Sequence, residues 1–324
     1  MHVLILGAGG MIGRKLAAAI ADHGIGGTPV ARLTLADVAI PPLPTLSGAG
    51  SALGLDLTAA TAPARLLADR PDLIFHLAAI VSGEAEADFD RGYAVNLDAT
   101  RRLLYAIRQT PGYRPRFIFA SSIAVFGRPF PEVIPDDFAP QPLTSYGTQK
   151  LMTELLVNDF SRRGLLDGLS RRLPTICIRP GAPNRAASGF FSSILREPLA
   201  GLPATLPVPD TVRHWFASPR AAVGFFLHAA TLDTANLGAN RALTLPGLSA
   251  TVAEEIEALR AVAGQKAVDL IRRAPDPAVG AIVAGWPQAF QATRATALGF
   301  RAETRFDQIV QGYLAEDAPS VAAR

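Results

Sequence analysis

The stretch "LILGAGGMIG", Leu4 to Gly13, decides how this chain is read. An apolar run of strand character ends among four glycines, Gly7, Gly9, Gly10 and Gly13, and the following "MIGRKLAAAIADHG" has helical period. Glycines at a strand-to-helix junction permit a tight turn and close backbone approach, so the free N–H groups of the helix amino end can hold a pyrophosphate. A bound dinucleotide is the reading this context implies. "LTLAD" then reads as a second strand ending in Asp37, placed to accept hydrogen bonds from adenosine ribose hydroxyls. A carboxylate there repels a 2′-phosphate and Val38 offers no cation to offset it, so the expected cofactor is NAD rather than NADP.

Outward from this junction, short β-branched runs alternate with longer helix-period segments. "PDLIFHLAA", "RFIFASS" and "TICIRPG" read as further strands, and "YAVNLDATRRLLYAIRQ" and "SYGTQKLMTELLVNDFSRRG" as two long helices. "IPPLPTLSGAGSALG" is most simply a surface loop. Beyond Pro180 the pattern shifts to short mixed elements, with helical candidates at "SPRAAVGFFLHAA", "TVAEEIEALRAVAG" and "FDQIVQGYLAE". The expected fold is α/β, a Rossmann doubly wound parallel sheet with a smaller carboxyl-terminal α+β substrate domain. Residues 1–178, joined by part of 214–245, should form the NAD-binding domain, and 179–324 an interleaved substrate-binding lid over the carboxyl edge of the sheet.

A chain of 324 residues with 49% hydrophobic content can bury a sizeable core. Its net charge is only +3 and the arginines are dispersed, which argues against nucleic acid as a partner. One cysteine, Cys177 in "TICI", excludes an intrachain disulfide and reads as a buried strand thiol. The five histidines have no metal-ligand spacing, so no metal is expected. The start "MHVLILGAGG" has no secretory leader pattern and no apolar run is long enough for a membrane span, so a cytoplasmic protein is expected.

Tyr146 and Lys150 in "LTSYGTQK" are four apart on a helical segment and share one face. Upstream, the strand "FIFASS" carries Ser121 and Ser122 to the same carboxyl edge of the sheet. A free tyrosine, with a pKa of about 10, is a poor base at neutral pH, and a nearby ammonium favours its phenolate. Lys150 can supply that charge and bond the nicotinamide ribose, Ser122 can hold a substrate oxygen, and Tyr146 can take its proton while hydride leaves the same carbon.

Taken in order, Gly7-x-x-Gly10-x-x-Gly13, "HLAA" at 76–79, "VNLDAT" at 95–100, "SSIAVFG", Tyr146-x-x-x-Lys150 and "RPG" at 179–181 resemble the extended short-chain dehydrogenase/reductase superfamily over nearly the whole chain. The resemblance implies cofactor contacts from Gly7, Gly10, Met11, Ile12 and Gly13. It also implies Asp56 and Leu57 beside the adenine, Leu77, Ala78, Ala79 and Pro180 along the cofactor, and Asn96 supporting the site. Homodimers built on the two long helices are a further implication.

The shared catalytic residues do not select a substrate, because the superfamily holds nucleotide-sugar epimerases and dehydratases as well as dehydrogenases of small acids. "AAIVSGEAEADFD", "RPGAPNRAASGFFSSILREPLAG" and "LPVPDTVRHWFASPRAAVGF" are similar to the D-erythronate dehydrogenase branch, which implies oxidation of a four-carbon sugar acid at C2. An aldonate needs a cation for its carboxylate and polar groups for its hydroxyls. Arg213 is the leading anchor, with Ser82, Asn184, Ser188 and His214 as polar neighbours. Nucleotide-sugar enzymes also use an arginine at that place, so Arg213 leaves both readings open. They commonly carry Arg-x-x-Asn after the sixth strand, whereas here Arg179 is followed by Pro180-Gly181-Ala182. A non-catalytic NAD sensor is disfavoured because the tyrosine and the lysine are both present.

Overall fold

The structure, a computed structural model, describes residues 1–181 and 187–318. It divides into two compact units: Met1–Val125 with Pro142–Leu173 and Val223–Thr244, and Phe126–Gln141 with Pro174–Ala222 and Leu245–Arg324. Two segments fall otherwise than the sequence reading placed them. Phe126–Gln141 belongs to the second unit, and that unit resumes at Pro174, because the short strand Thr175–Ile176 pairs with Arg213–Ala217 and not with the large sheet.

The first unit is built on a seven-stranded sheet in which every pairing is parallel. We label its strands β1 (His2–Leu6), β2 (Arg32–Asp37), β3 (Ala49–Gly54), β4 (Leu73–His76), β5 (Arg116–Ser122) and β6 (Asp167–Leu173), with Ala242–Thr244 at the far edge beside β6. The order runs Ala242–Thr244, β6, β5, β4, β1, β2, β3. It is a Rossmann-type α/β fold, and the chain reverses direction across the sheet between β1 and β4, where such sheets open a ligand crevice at their carboxyl ends. Leu4, Leu6, Ile74, Phe117 and Phe119 from the strands pack with Leu103, Leu104, Ile107, Val157 and Phe160 of the two long helices to form one core.

Two strands depart from the sequence reading. The stretch expected to be a loop after β2 contains β3, which pairs in register with Arg32–Asp37. Its "AGSALG" sequence lacks β-branched residues, but an edge strand packed on one side needs backbone pairing more than bulk. β6 was not anticipated either, since "DGLSRRL" carries three charged residues in a strand that is almost wholly buried.

In the second unit, Leu248–Thr251, Arg213–Ala217 and Thr175–Ile176 make a mixed three-stranded sheet, and Ile271–Arg273 pairs with Ala204–Leu206. The helices Gly189–Leu199, Val252–Ala263 and Phe306–Glu316 close its core around Phe191, Leu195, Phe216, Ile256, Leu259, Ile309 and Val310. Among the described residues no helix is long and apolar enough to cross a membrane.

Candidate active site

The site begins where β5 ends against the helix Ser145–Arg162. Thr144 caps that helix by accepting the Gly147 N–H at 3.0 Å, which fixes its start one residue before Tyr146. Gly147 allows a contact no other residue could make: a Cβ there would lie 2.1 Å from the Ala124 carbonyl oxygen. The helix is thereby drawn against the turn Ile123–Val125 that follows β5, and Tyr146 is brought to the end of the Ser122 strand.

Successive residues of β5 do different work. The Ala120 carbonyl accepts from Lys150 Nζ at 2.8 Å. That ammonium also lies 4.7 Å from the Phe119 ring centre and 5.6 Å from the Tyr146 ring centre. Ser121 is buried and its hydroxyl donates to the Glu154 carboxylate, which ties it to the interior. Ser122, on the opposite face and only part-buried, accepts the Ala124 N–H at 3.1 Å through Oγ and keeps its own O–H for another acceptor. Of the two serines, geometry selects Ser122.

Lys150 is 2% exposed, and burial pushes its pKa down to about 7, with the Glu154 carboxylate pulling the other way. Near neutral pH this group can gain or lose a proton. His76, at the end of β4, is held neutral, its pKa lowered to about 3 by burial and then by the Lys150 charge. Its Nε2 meets the Thr100 hydroxyl at 2.9 Å.

The glycine loop has the shape of a dinucleotide cradle. Gly7 adopts φ +81°, and a Cβ on it would stand 2.6 Å from the Ala78 nitrogen. A Cβ on Gly13 would stand 2.2 Å from the Gly7 carbonyl oxygen. Side chains at either position would fill the space the fold uses to lay the helix Met11–His23 on the sheet. That helix has no side-chain cap and no acid in its first turn, leaving its amino end open to an anion. Asp37 accepts the Gly9 N–H at 2.8 Å and the Val38 N–H at 2.7 Å, which orients the carboxylate while leaving lone pairs for ribose hydroxyls. These residues fit NAD.

Asn96 sits in a widened helical turn, Ala94–Asp98, and holds Ile80 by both backbone groups, accepting its N–H at 2.9 Å and donating to its carbonyl at 3.2 Å. The same amide donates to Gln149 Oε1 at 2.8 Å. Leu77, Ala78 and Ala79 follow β4, and Leu77 continues the strand by donating to the Leu6 carbonyl. Asp56 is exposed and closes its own turn, with the Thr58 N–H and hydroxyl lowering its pKa, while Leu57 beside it is part-buried. Met11 and Ile12 are part-buried in the first turn after the loop. Ser82 opens the short helix Ser82–Ala87, whose Glu86 carboxylate accepts the Ser145 N–H at the head of the helix Ser145–Arg162.

In the second unit, Pro180 is part-buried and Ser188 accepts from Arg179 Nη2 at 3.0 Å. Arg213, at the start of its strand, donates to the Ser249 carbonyl at 3.1 Å and lies 3.3 Å from the Glu254 carboxylate, with its side chain 37% exposed. His214 faces inward. Its Nδ1 pairs with the Pro287 carbonyl at 2.9 Å, its Nε2 with the Thr175 hydroxyl at 2.7 Å, and its ring stacks on Phe191. Burial pushes its pKa down to about 4. Both nitrogens are committed inside the unit, the arrangement of a packing histidine. Asn184 lies outside the described residues. Sequence reasoning missed Gln149 and Glu154; their helix spacing from Tyr146 and Lys150 was the only available signal, and their partners are remote in sequence.

Residues 3–216 match the NAD dependent epimerase/dehydratase family. The chain belongs to that family, and its cofactor is NAD. Within it, the chain is 46% identical to the D-erythronate dehydrogenase of Cupriavidus necator over 98% of this chain and 99% of that one. It is 42% identical to the D-erythronate dehydrogenase of Haemophilus influenzae over 98% of this chain and 100% of that one. A crystal structure described as the nucleoside-diphosphate-sugar epimerase from Agrobacterium tumefaciens superposes with a TM-score of 0.96 at 56% identity, covering 98% of this chain and 95% of that one.

Proposed function

We propose that this protein oxidises D-erythronate at C2 with NAD, giving the 2-keto acid. The observation that carries the reading is the full-length likeness to two D-erythronate dehydrogenases in a chain that keeps Ser122, Tyr146 and Lys150 at one sheet edge. Bound NAD supplies a hydride acceptor for the C2 hydrogen. Ser122 O–H donates to the C2 oxygen and holds it beside Tyr146. The Tyr146 phenolate removes the hydroxyl proton as the carbonyl forms, and the Lys150 ammonium favours that phenolate. Gly7, Gly10, Met11, Ile12 and Gly13 hold the pyrophosphate in this proposal, and Asp37 the adenosine ribose. Asp56 and Leu57 flank the adenine, Leu77, Ala78, Ala79 and Pro180 border the nicotinamide half, and Asn96 steadies Ile80. Ser82, Ser188 and Asn184 are proposed as hydroxyl partners and Arg213 as the carboxylate anchor; His214 is proposed to shape the pocket from behind.

The decisive assay follows NADH absorbance with D-erythronate, its stereoisomers and related small acids. D-Erythronate should turn over, and silence with the whole panel would end the reading. Equal or better use of NADP would remove the role given to Asp37. A nucleotide-sugar epimerase is a second reading, favoured by the description of the Agrobacterium structure; it predicts conversion of a UDP- or dTDP-sugar with no net NADH.

The protein is further proposed to work in the cytoplasm as a homodimer on its two long helices. Tyr105, Met152 and Leu155 leave apolar surface exposed there, at 42%, 40% and 59%. Leu155→Glu should convert the dimer to monomer in light scattering, and an unchanged mass would discard that interface.

A further inference from the structure

Glu154 lies one helical turn beyond Lys150 and is 1% exposed. Two strands converge on its carboxylate: Ser121 of β5 donates to Oε1, and Arg172 of β6 donates from Nε at 3.0 and 3.1 Å and from Nη2 at 2.7 Å. Both charges are buried, and a buried carboxylate is tolerated only when its partners come with it. β5 is thus fastened to the catalytic helix at two adjacent residues, Ala120 through Lys150 and Ser121 through Glu154, immediately before Ser122. We infer that Glu154 is a positioning residue for the reaction: it locks the end of β5 so that Ser122 meets Tyr146, and it supplies the negative charge that keeps the Lys150 ammonium in the interior. This inference rests on the roles proposed above for Ser122, Tyr146 and Lys150.

The electrostatic surroundings support it. Tyr146 on the same helix lies 5.6 Å from Lys150 by its ring centre, His76 from β4 feels the Lys150 charge, and Arg172 from β6 pairs with Glu154. Arg171 alternates to the other face of β6. His76 stays neutral and Arg172 is already paired, so Glu154 is the group that opposes the desolvation of Lys150. Glu154→Gln keeps the size and the acceptor for Ser121 while deleting the charge. It should therefore lower the Lys150 titration midpoint, because the ammonium loses its neighbouring anion.

The chain has only three lysines, Lys15, Lys150 and Lys266, so isotope-labelled lysine side chains can be titrated by NMR in the intact protein, with Lys150→Met giving the assignment. In Glu154→Gln the Lys150 midpoint should fall by about one unit or more, and Glu154→Asp should restore most of the shift. The pH limb of kcat/KM should move the same way. A folded Glu154→Gln protein with an unmoved Lys150 midpoint overturns the inference, whatever its thermal stability. If the single variant does not fold, the volume-matched Glu154→Met/Arg172→Met protein serves instead; a Lys150 midpoint below wild type supports the inference and an unchanged one overturns it. The lysine titration needs no substrate. Silence with D-erythronate alongside a moved midpoint would defeat the substrate reading alone, and turnover with an unmoved midpoint would defeat the role of Glu154 alone.

Discussion

Two buried glutamates, one in each unit, are treated in opposite ways. Glu154 is gripped by Arg172 and Ser121 between β5, β6 and the helix Ser145–Arg162. Glu255, on the helix Val252–Ala263, is 0% exposed, and neither carboxyl oxygen finds a hydrogen-bond partner among the described residues. Burial pushes its pKa well above the usual carboxylate range. Its neighbour Glu254 completes the contrast: 54% exposed, it caps its own helix with Thr251 and meets Arg213 at the surface. An Arg–Glu pair, a lone Glu and a second Arg–Glu pair therefore sample the deep paired, deep unpaired and shallow paired cases within one chain.

The largest effect should come from breaking the deep pair. Arg172→Met leaves an uncompensated carboxylate in the core and should cost about 3–5 kcal/mol in denaturant unfolding. A loss as small as that of a surface pair would mean water reaches Glu154. The second effect has the opposite sign. Glu255→Leu places an apolar side chain where an unsatisfied acid stood and should gain about 1–3 kcal/mol. The pH dependence identifies the cause. With its folded pKa raised above the ordinary 4.5, the stability associated with Glu255 is fully present below pH 4.5 and is lost as pH rises through the folded value. The advantage of Glu255→Leu over wild type should accordingly widen from pH 4.5 upward, and a gap independent of pH would show that Glu255 already has a partner.

The same contrast separates what the sequence could reveal from what it could not. Tyr146 and Lys150 were legible because covalent spacing on a helix sets their common face, and the glycine loop because its steric demand leaves almost no other residue possible. β6 was illegible. Its Asp167, Arg171 and Arg172 break any apolar strand pattern, but Asp167 is held by Arg116, Arg241 and Thr234, and Arg172 by Glu154, partners not adjacent in the chain. The partners of Ser121 and His214 were hidden for the same reason: a residue type announces its capacity for hydrogen bonding, not which group will use it. Thr175 and Pro287 engage His214, and Glu154 engages Ser121, only once the fold has formed. β3 escaped because an edge strand of small residues has no periodic signal.

The smallest stability effect should belong to the shallow pair, where function rather than folding is at stake. The Arg213 side chain is 37% exposed and that of Glu254 54%, so water screens their attraction and long side chains lose entropy to hold it. Such pairs contribute about 0–1 kcal/mol, and Arg213→Met should fall at the low end, since Glu254 keeps its capping bonds to Thr251. If Arg213 is the carboxylate anchor, the same variant should raise KM for the acid about tenfold or more while leaving NAD affinity unchanged, because a charge-assisted bond to the substrate is lost and the cofactor loop is untouched. A stability loss approaching that of Arg172→Met would show that Arg213 is buried in the working enzyme. An unchanged KM would transfer the anchor role to another cation, and Arg179, which is tied to Ser188 in the same unit, would be the first to test.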